Sequence, residues 1–450
     1  MRKKISRRDF IKVSAATLAT TGMVGAGILP ITAEAKSQSA AVHSSKKAYL
    51  PKAKGPRVVV VGGGTSGLTI AKYLKKENAK FDVVLVEKRA SYESCFSSNL
   101  WYADLINLEF RSHSFLDAAR NGGYTFFSAT CTGLDRTGRK VFTDQGAIGY
   151  DYLVLAPGID YDYAKIGVDN AEDEYRLRTD YPAGWTMGTE HVTIKHKIQN
   201  FKGGVFVQTV PTGNYRCLPA PYERACMIAS VFKKNNIKGK VLVLDRNPDV
   251  TIKKDGFHAA FNELYKDYIE YVPSVEISGV DVAGKTIKTE FDSYQFDDAA
   301  IYPNIRASKL IETLGLVDPK SPQHEARIDV LRYNVIGDER VYVTGDSRPM
   351  PFSKSANTAS TEGKYVAKVI AARAAGKSID WESPTTTCYS MVNADPKEAI
   401  SVNAHYDFDP VKKEFAFSKD TTMDEQRDTA KGEATLEWAQ ALYTDMFGEA

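Results

Sequence analysis

Arg57-Val58-Val59-Val60-Val61 is an unbroken apolar run that leads directly into Gly62-Gly63-Gly64-Thr65-Ser66-Gly67, and no other stretch constrains the chain as tightly. A continuous apolar run predicts a strand buried on both faces, as in a parallel sheet. The three spaced glycines have separate tasks. Gly62 permits a tight turn, Gly64 lets a pyrophosphate approach the backbone, and Gly67 lets the next helix pack on the strand. That helix, with Leu68, Ala71 and Leu74 on one face, directs N–H donors and a positive dipole end at the phosphates, with Ser66 in its first turn. A second strand from Phe81 to Val86 ends at Glu87, where a carboxylate takes ribose hydroxyls, and Lys88 follows it. The whole is one βαβ dinucleotide-binding unit.

The chain repeats the strand–turn–helix–strand order from Gly204 to Asp245, but without the glycines. In their place stands Tyr215-Arg216-Cys217-Leu218-Pro219-Ala220-Pro221-Tyr222-Glu223-Arg224-Ala225. A thiol and two prolines replace the phosphate cradle, which argues against a nicotinamide nucleotide here and for sulfur chemistry. Two further segments favour FAD in the first unit. Leu155-Ala156-Pro157-Gly158 resembles the segment that returns the chain to the flavin domain in two-dinucleotide flavoproteins. Val343-Thr344-Gly345-Asp346 resembles their second flavin motif, whose Asp receives a ribityl hydroxyl.

The N-terminus reads as an export signal. Ser6-Arg7-Arg8-Asp9-Phe10-Ile11-Lys12 is a twin-arginine box, an uncharged stretch runs from Val13 to Ile31, and Ala33-Glu34-Ala35 is a small-residue cleavage site. The expected location is the periplasm, without stable membrane insertion of the mature chain. Of the net charge of +3, residues 1–35 hold six cations against two anions, a net +4 that leaves −1 to the remainder. A near-neutral body carries no footprint for nucleic acid. Five cysteines (Cys95, Cys131, Cys217, Cys226 and Cys388) are an odd number for an exported protein, so one is free, modified or paired elsewhere. No metal site is expected.

With these residues in place, the chain resembles the flavoprotein subunit of flavocytochrome c sulfide dehydrogenase over residues 57–450. The most specific pieces are Tyr92-Glu93-Ser94-Cys95-Phe96-Ser97-Ser98-Asn99, Cys217 through Ala225, and Thr387-Cys388-Tyr389-Ser390. The resemblance implies an α/β fold with two Rossmann-like domains of the glutathione reductase type plus a small C-terminal α+β domain. The expected boundaries are a signal over 1–35, a flexible leader over 36–56, an FAD domain over 57–167 and 304–376, a second domain lacking the NAD motif over 168–303, and an interface domain over 377–450.

The same resemblance implies roles. Cys95 joins the flavin through a thioether, with Asn99 also at the cofactor. Cys217 is half of a redox disulfide where sulfide attacks, and Glu223 moves protons beside it. A c-type cytochrome subunit takes the electrons in a heterodimer, and no Cys-x-x-Cys-His occurs here to hold haem on this chain. The second redox cysteine is expected just after the Gly-Asp motif, where this chain has Ser347-Arg348. Cys226, Cys131 and Cys388 are the substitutes the chain offers, and Arg348 is a cation that would activate Cys217 if it reached it. Without a partner, Cys217 reads as a lone reactive thiol or persulfide carrier. Two other readings stand beside the enzyme: a flavin-bearing electron-transfer or sulfur-binding subunit, and a sulfide:quinone reductase relative.

Overall fold

The computed structural model describes residues 46–448, so the twin-arginine box and cleavage site expected within residues 1–35 lie outside the described residues. The valines of β1 (Arg57–Val61) are buried, as a central parallel strand requires. Helix α1 (Thr65–Glu77) turns Leu68, Ile70, Ala71 and Leu74 inward, and β2 (Asp82–Glu87) returns beside β1 in parallel register. After a short helix α2 (Ser98–Tyr102), β3 (Thr125–Ser128) and β4 (Tyr152–Leu155) complete this half, separated by an antiparallel three-strand meander over residues 131–149.

The second unit repeats the pattern with β5 (Gly204–Val210), α3 (Ala220–Lys234), β6 (Gly239–Asp245), β7 (Ile269–Val272) and β8 (Asp298–Ala300). The chain then returns through β9 (Val341–Val343) and α4 (Ala356–Ala374). Two parallel sheets result, ordered β9-β4-β1-β2-β3 and β7-β6-β5-β8. A C-terminal antiparallel sheet of β10 (Thr386–Ala394), β11 (Lys397–Ala404) and β12 (Thr422–Asp428) is covered by α5 (Thr429–Phe447). The expected two-Rossmann architecture with a small third domain is the one observed.

The expected leader over 36–56 is anchored at part of its length. Lys47 bridges to Ala147 on the meander, Ala48 is buried, and the Ala48 N–H donates to Ala147 O at 2.9 Å. An edge strand offers unpaired carbonyls and N–H groups, and this segment takes them.

The turn after β9 is fixed by buried charge. Arg348 pairs with Glu362 of α4 at 2.8 Å, both side chains 1% exposed, and the Tyr333 hydroxyl donates to the same carboxylate. The remaining guanidinium donors reach the carbonyls of Met350, Phe352 and Ser353. Removing one partner of such a pair strands the other charge away from water. Arg348→Met is expected to lower unfolding free energy by about 3–5 kcal/mol in urea titrations, and adding Glu362→Gln to recover part of that loss.

Candidate active site

Gly64, Ser66, Cys95, Asn99, Gly158, Gly345, Asp346 and Cys217 line one cavity that encloses about 780 Å³ of space, partly open to solvent. The glycines divide as their spacing predicts. A Cβ on Gly62 would lie 2.2 Å from Ala156 O, and one on Gly67 would lie 1.9 Å from Gly62 O. A Cβ on Gly64 meets nothing within 4 Å, so its exposed backbone is the part left free for a ligand. Trp185 also lines the cavity, and its buried Nε1–H has no hydrogen-bond partner among the described residues. An open glycine at the α1 N-terminus and an unused donor fit a bound dinucleotide such as FAD.

Glu87 is buried at the end of β2, where it accepts from Gly63 N at 2.8 Å and from Arg89 Nε at 2.8 Å. Burial works against its charge, but Arg89 and the Gly63 N–H outweigh it and hold the carboxyl below its ordinary range. Lys88, expected beside it at the cofactor, is exposed and does not line the cavity. Lys88 lies in a bend just past the last residue of β2, outside the buried strand. Pro157 is also outside the lining, which its neighbours Ala156 and Gly158 supply.

Cys95 sits just before α2 with its thiol directed at Trp185 O at 3.6 Å. Burial pushes this thiol up, and the guanidinium groups of Arg216 and Arg111 act in the opposite sense. Arg216 was not singled out from the sequence. It donates through Nε to Asp346 Oδ2 at 2.6 Å and through Nη1 to the same Trp185 carbonyl at 2.5 Å. The motif carboxylate therefore already holds a cation at the cavity wall.

Cys217 has φ +58, a left-handed backbone that non-glycine residues adopt at a cost of about 1–3 kcal/mol. Its N–H is held by Lys354 O at 3.0 Å and its carbonyl by Ala220 N at 2.9 Å, so the turn is fixed from both sides. Its partner is Cys388, on β10 of the C-terminal domain, and each thiol shifts the other's proton affinity. Both are in the thiol state rather than bridged. Cys217, aided by the Lys253 charge and the Ser390 hydroxyl against the cost of burial, draws Cys388 down to about 6. Cys217 is pushed well above its ordinary value by Cys388 and by burial. Of the two, Cys388 is the sulfur on which negative charge is favoured.

This corrects the expected position of the second cysteine and the lone-thiol reading of Cys217. Ser347 uses its hydroxyl to hold Gly158 O at 2.6 Å, and Arg348 is spent on Glu362, away from Cys217. Cys226 is buried one turn further along α3, and Cys131 sits in the meander with its thiol on Gly133 O. Neither is hydrogen-bonded to Cys217.

Glu223 stands behind the pair in the first turn of α3. Its carboxylate accepts from Asn99 Nδ2 at 2.7 Å and from Met391 N on β10 at 2.8 Å. Burial lifts it to about 7 despite these two donors, which suits proton transfer near neutrality. Asn99 thereby links the cavity wall to the carboxyl.

The crevice of the second unit is closed to a nucleotide. Asp245, at the end of β6 where a ribose would be bound, is fully buried under the hydroxyls of Tyr222 at 2.7 Å and Tyr271 at 2.9 Å. This agrees with the missing glycines.

Comparisons with known proteins follow these divisions. The family described as sulfide dehydrogenase [flavocytochrome c] flavoprotein chain, central, matches residues 191–303. Flavocytochrome c sulphide dehydrogenase, flavin-binding, matches residues 382–447, and pyridine nucleotide-disulphide oxidoreductase matches residues 56–181. The sulfide dehydrogenase [flavocytochrome c] flavoprotein chain of Chlorobaculum thiosulfatiphilum is 49% identical over 43 residues, 10% of this chain and 90% of that sequence. The mitochondrial sulfide:quinone oxidoreductase of Dictyostelium discoideum is 22% identical over 389 residues, 80% of this chain and 81% of the relative. The solved sulfide:quinone oxidoreductase of Aquifex aeolicus superposes with a TM-score of 0.70 at 15% identity, covering 88% of this chain and 92% of that one, a likeness of fold.

Two measurements check the site. Gly64→Leu is expected to leave thermal unfolding nearly unchanged while abolishing the flavin absorbance at 450 nm, whereas Gly67→Leu lowers both. Glu223, raised in the fold, contributes stability that is complete below its unfolded value near 4.5 and is lost as pH rises through about 7. Glu223→Gln is expected to flatten that decline in unfolding titrations between pH 4.5 and 7.

Proposed function

Since the chain belongs to the flavocytochrome c sulfide dehydrogenase flavoprotein family, we propose that electrons leave sulfide at the Cys217–Cys388 pair. The chain is an FAD-dependent oxidoreductase of the sulfide-oxidising kind. The observation that carries the site assignment is Cys217 on the wall of the glycine-cradled cavity, with Cys388 of β10 close enough behind it for each thiol to shift the other's proton affinity. In the oxidised pair, hydrosulfide attacks the disulfide. One S–S bond forms as the other breaks, and the displaced sulfur leaves as a thiolate with the bonding electrons. Glu223 holds or releases the proton through its contacts to Asn99 and Met391. Bound FAD would supply a two-electron acceptor in the cavity that Cys217 lines.

Gly62, Gly64 and Gly67, Ser66, Glu87, Gly158, Gly345 and Asp346 are the residues that hold the cofactor in this reading. Cys95 is the thiol for a covalent flavin bond, supported by its place on the cavity wall. The final acceptor is a c-type cytochrome on a separate chain, as the family's description implies. The twin-arginine box supports export to the periplasm. Among the described residues no helix is long and apolar enough to cross a membrane. The Asp245 closure favours this reading over an NADH oxidoreductase.

Cys217→Ser and Cys388→Ser are each expected to retain flavin but to lose at least about 100-fold in the rate at which sulfide bleaches it, measured by stopped flow. Unchanged bleaching in either variant would remove the paired-thiol mechanism. Acid precipitation is expected to leave flavin on the wild-type polypeptide and release it from Cys95→Ala. Reduction of an added c-type cytochrome by sulfide, set against reduction of a soluble quinone, decides the acceptor.

A further inference from the structure

Lys253 lies just before the helix over residues 254–259, with a left-handed backbone at φ +54 and only 1% of the residue exposed. Its ammonium donates to the Ser390 hydroxyl at 2.7 Å. Ser390 is two residues from Cys388 on β10, so both side chains fall on the same face of that strand. Ile252 packs on the small apolar cluster of Cys388, Val402 and Ala404, which seats the loop directly against the thiol. Among the described residues no carboxylate forms an ion pair with Lys253. The charged or titratable groups facing Cys388 are Cys217, Glu223 and Lys253.

A buried ammonium needs a counter-charge, because water no longer solvates it. In the dithiol state the sulfur of Cys388 supplies one. In the disulfide state neither sulfur is charged, and the ammonium keeps only Glu223 nearby. The oxidised state therefore bears a cost that reduction removes. We propose that Lys253 is a positioning residue of the sulfur chemistry: its ammonium, with Ser390, holds the negative charge of the reduced pair on Cys388 and makes the disulfide easier to reduce. This rests on the reading of Cys217 and Cys388 as a redox pair. Reduction breaks the S–S bond with two electrons and one proton, the proton residing on Cys217 and the charge on Cys388. A disulfide whose reduced form is stabilised is the stronger oxidant, which favours accepting electrons from a small sulfur donor.

The test equilibrates flavin-loaded protein in glutathione redox buffers and counts free thiols by alkylation and mass spectrometry. Lys253→Met is expected to shift the dithiol–disulfide constant about tenfold toward the disulfide, about 30 mV for a two-electron couple. The pH midpoint for alkylating Cys388 is expected to rise by about one unit, since a tenfold change in thiolate stability is one unit. Lys253→Arg is expected to restore most of both. Ser390→Ala, which keeps the ammonium, serves if Lys253→Met does not fold and is expected to move both readouts in the same direction. A folded, flavin-loaded Lys253→Met with unchanged constant and midpoint overturns the proposal, as does a wild type that forms no Cys217–Cys388 disulfide. A wild-type pair that glutathione reduces but sulfide does not would remove sulfide as donor while leaving the role of Lys253 standing.

Discussion

The ammonium of Lys354 is the fastening on which the site depends. It is buried with Glu325 at 2.6 Å, and its second bond goes to Asp346 O at 2.9 Å. The same residue's carbonyl holds Cys217 N–H at 3.0 Å, and its backbone bridges to Arg216. One residue thus ties the flavin motif of the first unit to the thiol turn of the second. Burial lowers its proton affinity, so the Glu325 carboxylate is what keeps the charge in place. Together with the Arg216–Asp346 pair, this link fixes the left-handed turn at Cys217 against the glycine cradle.

Charge is then distributed by what each buried group can reach. Arg216 is held by Asp346 at the cavity wall, and Arg348 by Glu362 behind it. Lys253 faces sulfur and a hydroxyl, and Glu223 faces two N–H donors. The first two are structural pairs, satisfied in every redox state. In the proposed chemistry the second two change their electrostatic surroundings when the sulfurs change state. That difference separates framework from chemistry in a site where both are buried.

The β1–α1–β2 unit was legible because its signals are local: a continuous apolar run, spaced glycines and a terminal acid within 31 residues. Gly62, Gly64, Gly67 and Glu87 were read from it, Gly345 and Asp346 from the motif after β9, Cys217 from the turn without glycines, and Cys95, Asn99 and Glu223 from the resemblance. Lys88 is exposed outside the cavity lining because β2 ends at Glu87 and the chain bends there. Arg216 and Lys253 were missed because nothing in a lone basic residue tells whether it will be solvated or folded against a carboxylate or a thiol. The Tyr222 and Tyr271 lids over Asp245 were invisible for the same reason.

Cys388 marks the boundary between the two kinds of information. The chain by itself determined that a dinucleotide cradle exists, that a second one was replaced by a thiol and prolines, and that other cysteines were available. Which of them meets Cys217 was decided only when β10 packed against the start of α3, with Met391 N on Glu223. The two cysteines are 171 positions apart, and pairing at that separation depends on how two domains dock. Sequence spacing carries no such distance, because the packing that brings distant segments together is a property of the whole core.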